Sequence, residues 1–204
     1  MLPSFLRALI IGLSIAAPVG PIGILCIRRA LAEGWLVGLV TGLGAATADA
    51  IYGAIAGFGL TFISTFLVNQ AGWLRLIGGL FLCYLGIKTM RSKPAKAAAT
   101  IERSGKGLFA AYISTVFLTL TNPATIISFV AVFAGLGLAT SQADYASAAV
   151  MVMGVFLGSA LWWLMLSSSV SLFRAHFNPN RLKWLNRISG LILLVFGIIA
   201  LSPT

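Results

Sequence analysis

Residues 36–68 read LVGLVTGLGAATADAIYGAIAGFGLTFISTFLV, a long apolar run with one charged residue, Asp49, near its middle. A run of this length and composition reads as a membrane-spanning helix. An ionisable group at the centre of such a helix costs about 2.5–3.5 kcal/mol on insertion scales, so Asp49 is a functional candidate by default. Helix breakers interrupt two other apolar runs, at Pro18 and Pro21 and again at Pro123, the latter preceded by Thr121-Asn122. Interrupted helices beside an intramembrane charge are the material of transporter sites.

The whole chain agrees with that local reading. Of its 204 residues 59% are hydrophobic and only 9% charged, against roughly 25% charged in a soluble domain. The expectation is an all-α integral membrane protein of about six transmembrane helices. The net charge of +10 does not point to nucleic acid. The basic residues gather between apolar runs, at Arg28-Arg29, from Lys88 to Lys106, and from Arg174 to Arg187, which is the positive-inside pattern. Cys26 and Cys83 stand on different runs and His176 is the only histidine, so neither a disulfide pair nor a zinc or haem ligand set is spelled out. A nucleophile motif, a phosphate loop and closely spaced carboxylates are all missing, so no enzyme and no cofactor is expected. Arg7 followed by an apolar run begins like a cleaved signal, but Pro18, Pro21 and the continuation to Ile27 favour a retained first helix.

Apolar segments run over about 4–27, 36–66, 73–90, 108–138, 145–173 and 184–202, and the basic linker 91–107 divides them three and three. A single domain, 1–204, with repeats at about 4–90 and 108–202 follows. Each repeat opens with a helix broken at proline. Because three is odd, the halves insert with opposite orientation, as an inverted repeat. The lysine- and arginine-rich connectors lie on one side, which places both termini outside the cytoplasm. Small residues line one stripe of the second helix (Gly34, Gly38, Gly42, Ala46, Ala50), and Gly154 and Gly158 repeat the motif in the fifth. Such stripes serve close helix packing within a chain or a homodimer face.

Asp49 has two chemistries open to it, holding a cation or a substrate ammonium when ionised, or taking and releasing a proton. A structural role, capping a broken neighbouring helix, is the alternative. Tyr52 is three residues on, on the same helix face, and is expected to orient the carboxylate. Pro18, Gly20, Pro21 and Gly23 free backbone groups that have to face a protein interior rather than lipid. A half-helix N-terminus there suits a carboxylate. Thr121, Asn122 and Pro123 offer the same break in the second half.

Ala17-Pro18-Val19-Gly20-Pro21-Ile22-Gly23, Arg28-Arg29-Ala30-Leu31-Ala32-Glu33-Gly34, Asp49-Ala50-Ile51-Tyr52, Tyr84-Leu85-Gly86 and Thr119-Leu120-Thr121-Asn122-Pro123 together resemble the LysE/RhtB family of amino-acid exporters, over nearly the whole chain. The resemblance implies a bacterial inner-membrane, multi-pass secondary exporter of amino acids, coupled to protons and working by alternating access. It implies that Gly20-Pro21, Asp49 and Asn122-Pro123 match signature positions. Ile22-Gly23-Ile24 is apolar where many relatives carry a polar residue after the Gly-Pro pair. With Asp49 the one well-placed acid, a neutral or small substrate is favoured over a basic one. A cation exporter and a non-transporting membrane scaffold are the rival readings.

Overall fold

Pro21 starts a helix because it cannot continue one. It lacks the N–H that would bond one turn back, and its ring would strike that turn's carbonyl. Helix α1 (Leu2–Ala16) accordingly ends before it, and α2 (Pro21–Ala32) begins on it, with Gly20 as an extended N-cap at φ −107°, ψ −163°. Their axes meet at 80°. The computed structural model describes residues 2–17, 20–58, 69–91, 105–122, 125–126, 128–129, 145–173 and 179–202. Pro18, Pro123, most of the basic linker and residues 130–144 lie outside the described residues.

From α2 the chain reverses in two residues. The N–H groups of Glu33 and Gly34 both donate to the Arg29 carbonyl, at 2.8 and 3.1 Å, and Gly34 has φ 112°, which glycine tolerates and a side chain does not. There follow α3 (Trp35–Gly57), α4 (Ala71–Arg91), α5 (Gly105–Leu120), α6 (Tyr145–Leu172) and α7 (Pro179–Leu201). Among the described residues the protein is helical throughout. Four helices, α3, α4, α6 and α7, are long and apolar enough to cross a membrane, and the bent pair α1–α2 makes a fifth candidate. The expected crossing over 108–138 is described as α5, which spans only about 24 Å at 1.5 Å per residue. The chain leaves that helix at Thr121-Asn122, and residues 125, 126, 128 and 129 are helical again.

Helix α3 sits at the centre, packed against α5, α6 and α2. Helix α1 lies along α6, and α4 lies along α7. The seams are made of small residues. A Cβ on Gly158 would meet the Leu9 backbone carbonyl, and one on Gly154 would meet Ala8 and the Phe5 carbonyl, so α1 and α6 touch backbone to backbone. In the other stripe, a Cβ on Gly38 would meet Ala30 of α2 and one on Gly42 would meet Trp163 of α6, so these glycines too serve packing inside the chain. Large apolar side chains face outward on α4 (Ile77, Leu80, Ile87) and α7 (Ile188, Val195, Ile199), as a lipid-facing surface requires. Trp35, Trp73 and Trp184 are exposed near helix ends, where aromatic belts sit. Arg75 donates to the carbonyls of Ala200 and Ser202, at 3.4 and 3.0 Å, and so caps the end of α7.

Candidate functional site

Asp49 is 3% exposed, halfway along α3. Its carboxylate accepts a hydrogen bond from Ser159 Oγ of α6 at 2.7 Å, and Trp163 Nε1, one turn further along α6, donates to the same hydroxyl at 3.2 Å. The indole is fixed in turn by Gly42 of α3, where any Cβ would strike the Trp163 side chain. A buried carboxylate needs donors; here the described one is a hydroxyl, a neutral partner that leaves the acid room to bind a cation or exchange a proton.

Both helix breaks converge on this stretch of α3. Toward its N-terminal end, Ala45 and Ala46 form one core cluster with Ala16, Ile22, Leu118 and Trp163, which brings in the end of α1 and the start of α2. There Pro21 has no N–H, and the first backbone bond of α2 runs from Ile24 to the Gly20 carbonyl at 3.1 Å, so the Ile22 and Gly23 N–H groups precede the helical ladder. Toward the C-terminal end, Tyr52 packs with Ile126, Phe129 and Val155, its ring 5.3 Å from that of Phe129.

The Tyr52 hydroxyl corrects one expectation. It donates to the Leu120 carbonyl at 2.6 Å, the last residue of α5, and so serves the second helix break; the donor that orients Asp49 is Ser159. Thr121 Oγ1 bonds back to the Phe117 carbonyl at 2.8 Å, while the Asn122 carbonyl accepts from the N–H groups of Thr125 and Ile126 at 3.1 and 3.2 Å, restarting a helical turn. Ser159 is not singled out by the sequence, and Trp163, deep in its apolar run beside Trp162, reads there as packing rather than as a cavity wall. The available signal was a hydroxyl next to Gly158 on a packing face of an otherwise apolar helix. Replacing Tyr52 by Phe removes the donor to a terminal helix carbonyl, a loss of about 1–3 kcal/mol when the acceptor is left buried and unpaired. The purified protein is expected to melt a few degrees lower. An unchanged melting curve would show that the bond carries no weight.

Comparison with known proteins now decides the class. The family described as LysE type translocator matches residues 13–203. The chain belongs to the LysE type translocators. It is therefore a multi-pass membrane transport protein and not an enzyme. It is 29% identical over 195 residues to a Bacillus subtilis protein named "Putative amino acid efflux protein YcgF", covering 95% of this chain and 92% of the relative. It is 28% identical over 178 residues to "Uncharacterized membrane protein YahN" of Escherichia coli, covering 84% and 77%. No solved structure matches it. Within this translocator, no three His, Cys, Asp or Glu side chains among the described residues come together as a metal site.

Proposed function

We propose that this LysE type translocator exports amino acids from the bacterial cytoplasm across the inner membrane, driven by the proton gradient, by alternating access between two inverted three-helix halves of one domain. The observation that carries the reading is a buried acid, Asp49, held where two interrupted helices meet, in a chain whose family moves solutes. The printed name of the Bacillus subtilis relative supports amino acids as the cargo. The helix pairings support the two halves. Exchanging α1 with α5, α3 with α6 and α4 with α7 turns the α1–α6 seam into the α5–α3 seam and leaves α3–α6 and α4–α7 paired as they are. The pairing supports two related halves, for which an odd number of spans per half calls for an axis in the membrane plane.

In this mechanism the substrate carboxylate is met at the first break by the backbone N–H groups of Ile22 and Gly23, which Pro18, Gly20 and Pro21 leave ahead of the helical ladder, and at the second break, Thr121-Asn122-Pro123, by the Asn122 side-chain amide. Asp49 meets the ammonium group or carries the coupling proton. Rocking of one half on the other opens the site to either side in turn. A single buried acid among the described residues, Asp49, suits neutral substrates. The test is efflux from bacteria fed dipeptides of many amino acids, with empty vector as control. Cells carrying the protein are expected to hold less, and release more, of at least one neutral amino acid. If no internal level moves while the protein is folded in the membrane, the reading fails.

A further inference from the structure

Arg29 is a buried cation that no anion among the described residues contacts directly. It is 9% exposed, on α2, and among the described residues every hydrogen-bond partner of its guanidinium is neutral. Nη1 donates to Thr41 Oγ1 of α3 at 3.1 Å, and to the Ala111 carbonyl and Thr115 Oγ1 of α5 at 3.1 and 3.2 Å; Nη2 donates to Ser114 Oγ of α5 at 3.0 Å. The three hydroxyls spend their protons on their own helices, Thr41 on the Val37 carbonyl and Ser114 and Thr115 on that of Ala111, which leaves lone pairs for the guanidinium. Neighbouring Arg28, by contrast, has an acid, Glu33, at 2.7 Å. One turn along α5 from Thr115, on the same face, Thr119 Oγ1 is buried with no hydrogen-bond partner among the described residues. A charge stripped of water whose hydrogen-bond partners are all neutral, with Glu33 acting on it only through space, is poorly compensated, and an unpaired buried hydroxyl adds a second unmet group. Both deficits lie between α5 and the first half, and one ligand chemistry satisfies them together: a carboxylate takes a bidentate bond from a guanidinium and a further bond from a hydroxyl.

We propose that Arg29 binds the carboxylate of the outgoing amino acid, in exchange for the α5 hydroxyls, at a station on the cytoplasmic side of Asp49. The proposal rests on the exporter reading above. Thr41 and Asp49 are eight residues apart on α3, about 12 Å along its axis, so an α-amino acid, with both charges on one carbon, visits the two in succession. With Arg29 bonded to α5, the first helix of the second half is clasped to α2 and α3 of the first. A carboxylate that displaces Ser114 and Thr115 releases the clasp, and loading thereby permits the rocking that follows.

The test is counterflow in everted membrane vesicles, whose cytoplasmic face is outward, with radiolabelled L-alanine, L-leucine and L-threonine as probes and their amides as competitors. Counterflow needs no coupling gradient. Wild type is expected to exchange at least one probe, and the matching amide to compete poorly. Arg29→Gln raises the half-saturating concentration about tenfold or more, the loss of a hydrogen bond to a charged group. Ser114→Ala with Thr115→Val moves it the other way, because the carboxylate then has less to displace. A pure clasp would raise or leave unchanged the value in that double variant, and this result overturns the proposal even if Arg29→Gln does not fold. Wild-type half-saturation in folded Arg29→Gln, or an amide that competes as well as its amino acid, overturns it too. If wild type exchanges none of the probes, the exporter reading itself falls, and this proposal with it.

Discussion

Asn in place of Asp49 is expected to cut gradient-driven export sharply while leaving the protein in the membrane at wild-type level. The change is isosteric, and an amide oxygen still accepts the Ser159 hydroxyl that the carboxylate accepts at 2.7 Å, so the α3–α6 contact keeps its hydrogen bond. What disappears is the charge and the exchangeable proton. Interaction of a charged group with a hydrogen-bonding partner is worth about 1.5–3 kcal/mol, and the export rate should fall by about tenfold to a hundredfold on that ground alone. Two assays separate the chemistries open to the acid. If Asp49 carries the coupling proton, Asp49→Asn loses export against a gradient yet keeps counterflow exchange. If it holds the substrate ammonium, both fall together. Unaltered export in both assays would reduce Asp49 to a packing residue.

Much of this arrangement was readable because single residues dictate it. A proline has no amide hydrogen, so a helix break before Pro21 follows from its chemistry alone, and the structure starts α2 there. A lone carboxylate in a long apolar run is buried in any fold the run can adopt, and Asp49 is. What the sequence left open is partnership across helices. Tyr52 shares a helix face with Asp49, as its three-residue spacing requires, but its long side chain reaches past that face to the Leu120 carbonyl. Ser159 is one of several serines on α6, and only the way α6 lies on α3 selects it. Arg29 was hidden by its company. The orientation rule counts cations near a helix end and says nothing about which turns inward, so Arg28 and Arg29 look alike until one is found beside Glu33 and Asn186 and the other among hydroxyls.

The small-residue stripes admitted two meanings as sequence, and a substitution at Gly158 tells them apart. Leucine there is expected to remove most folded protein from the membrane. Its Cβ alone would meet the Leu9 carbonyl, with the Leu13 nitrogen 2.9 Å away, and because both are backbone atoms the only relief is to push α1 off α6. Overpacking ordinarily costs about 1–3 kcal/mol when side chains can shift; with backbone on both sides the cost belongs at or above the top of that range. The displaced seam also carries Ser159, the next residue, away from Asp49. Gly72, which has nothing within 4 Å of an added Cβ, is the matched control, and Gly72→Leu should accumulate and melt as wild type does. The decisive readout is size-exclusion elution of detergent-extracted protein at matched expression. Were the stripe a homodimer face, Gly158→Leu would elute as a folded, smaller species; collapse or disappearance of the folded peak instead keeps Gly154 and Gly158 inside the chain, where their lack of side chains lets α1 lie close enough for the two helix breaks to meet at Asp49.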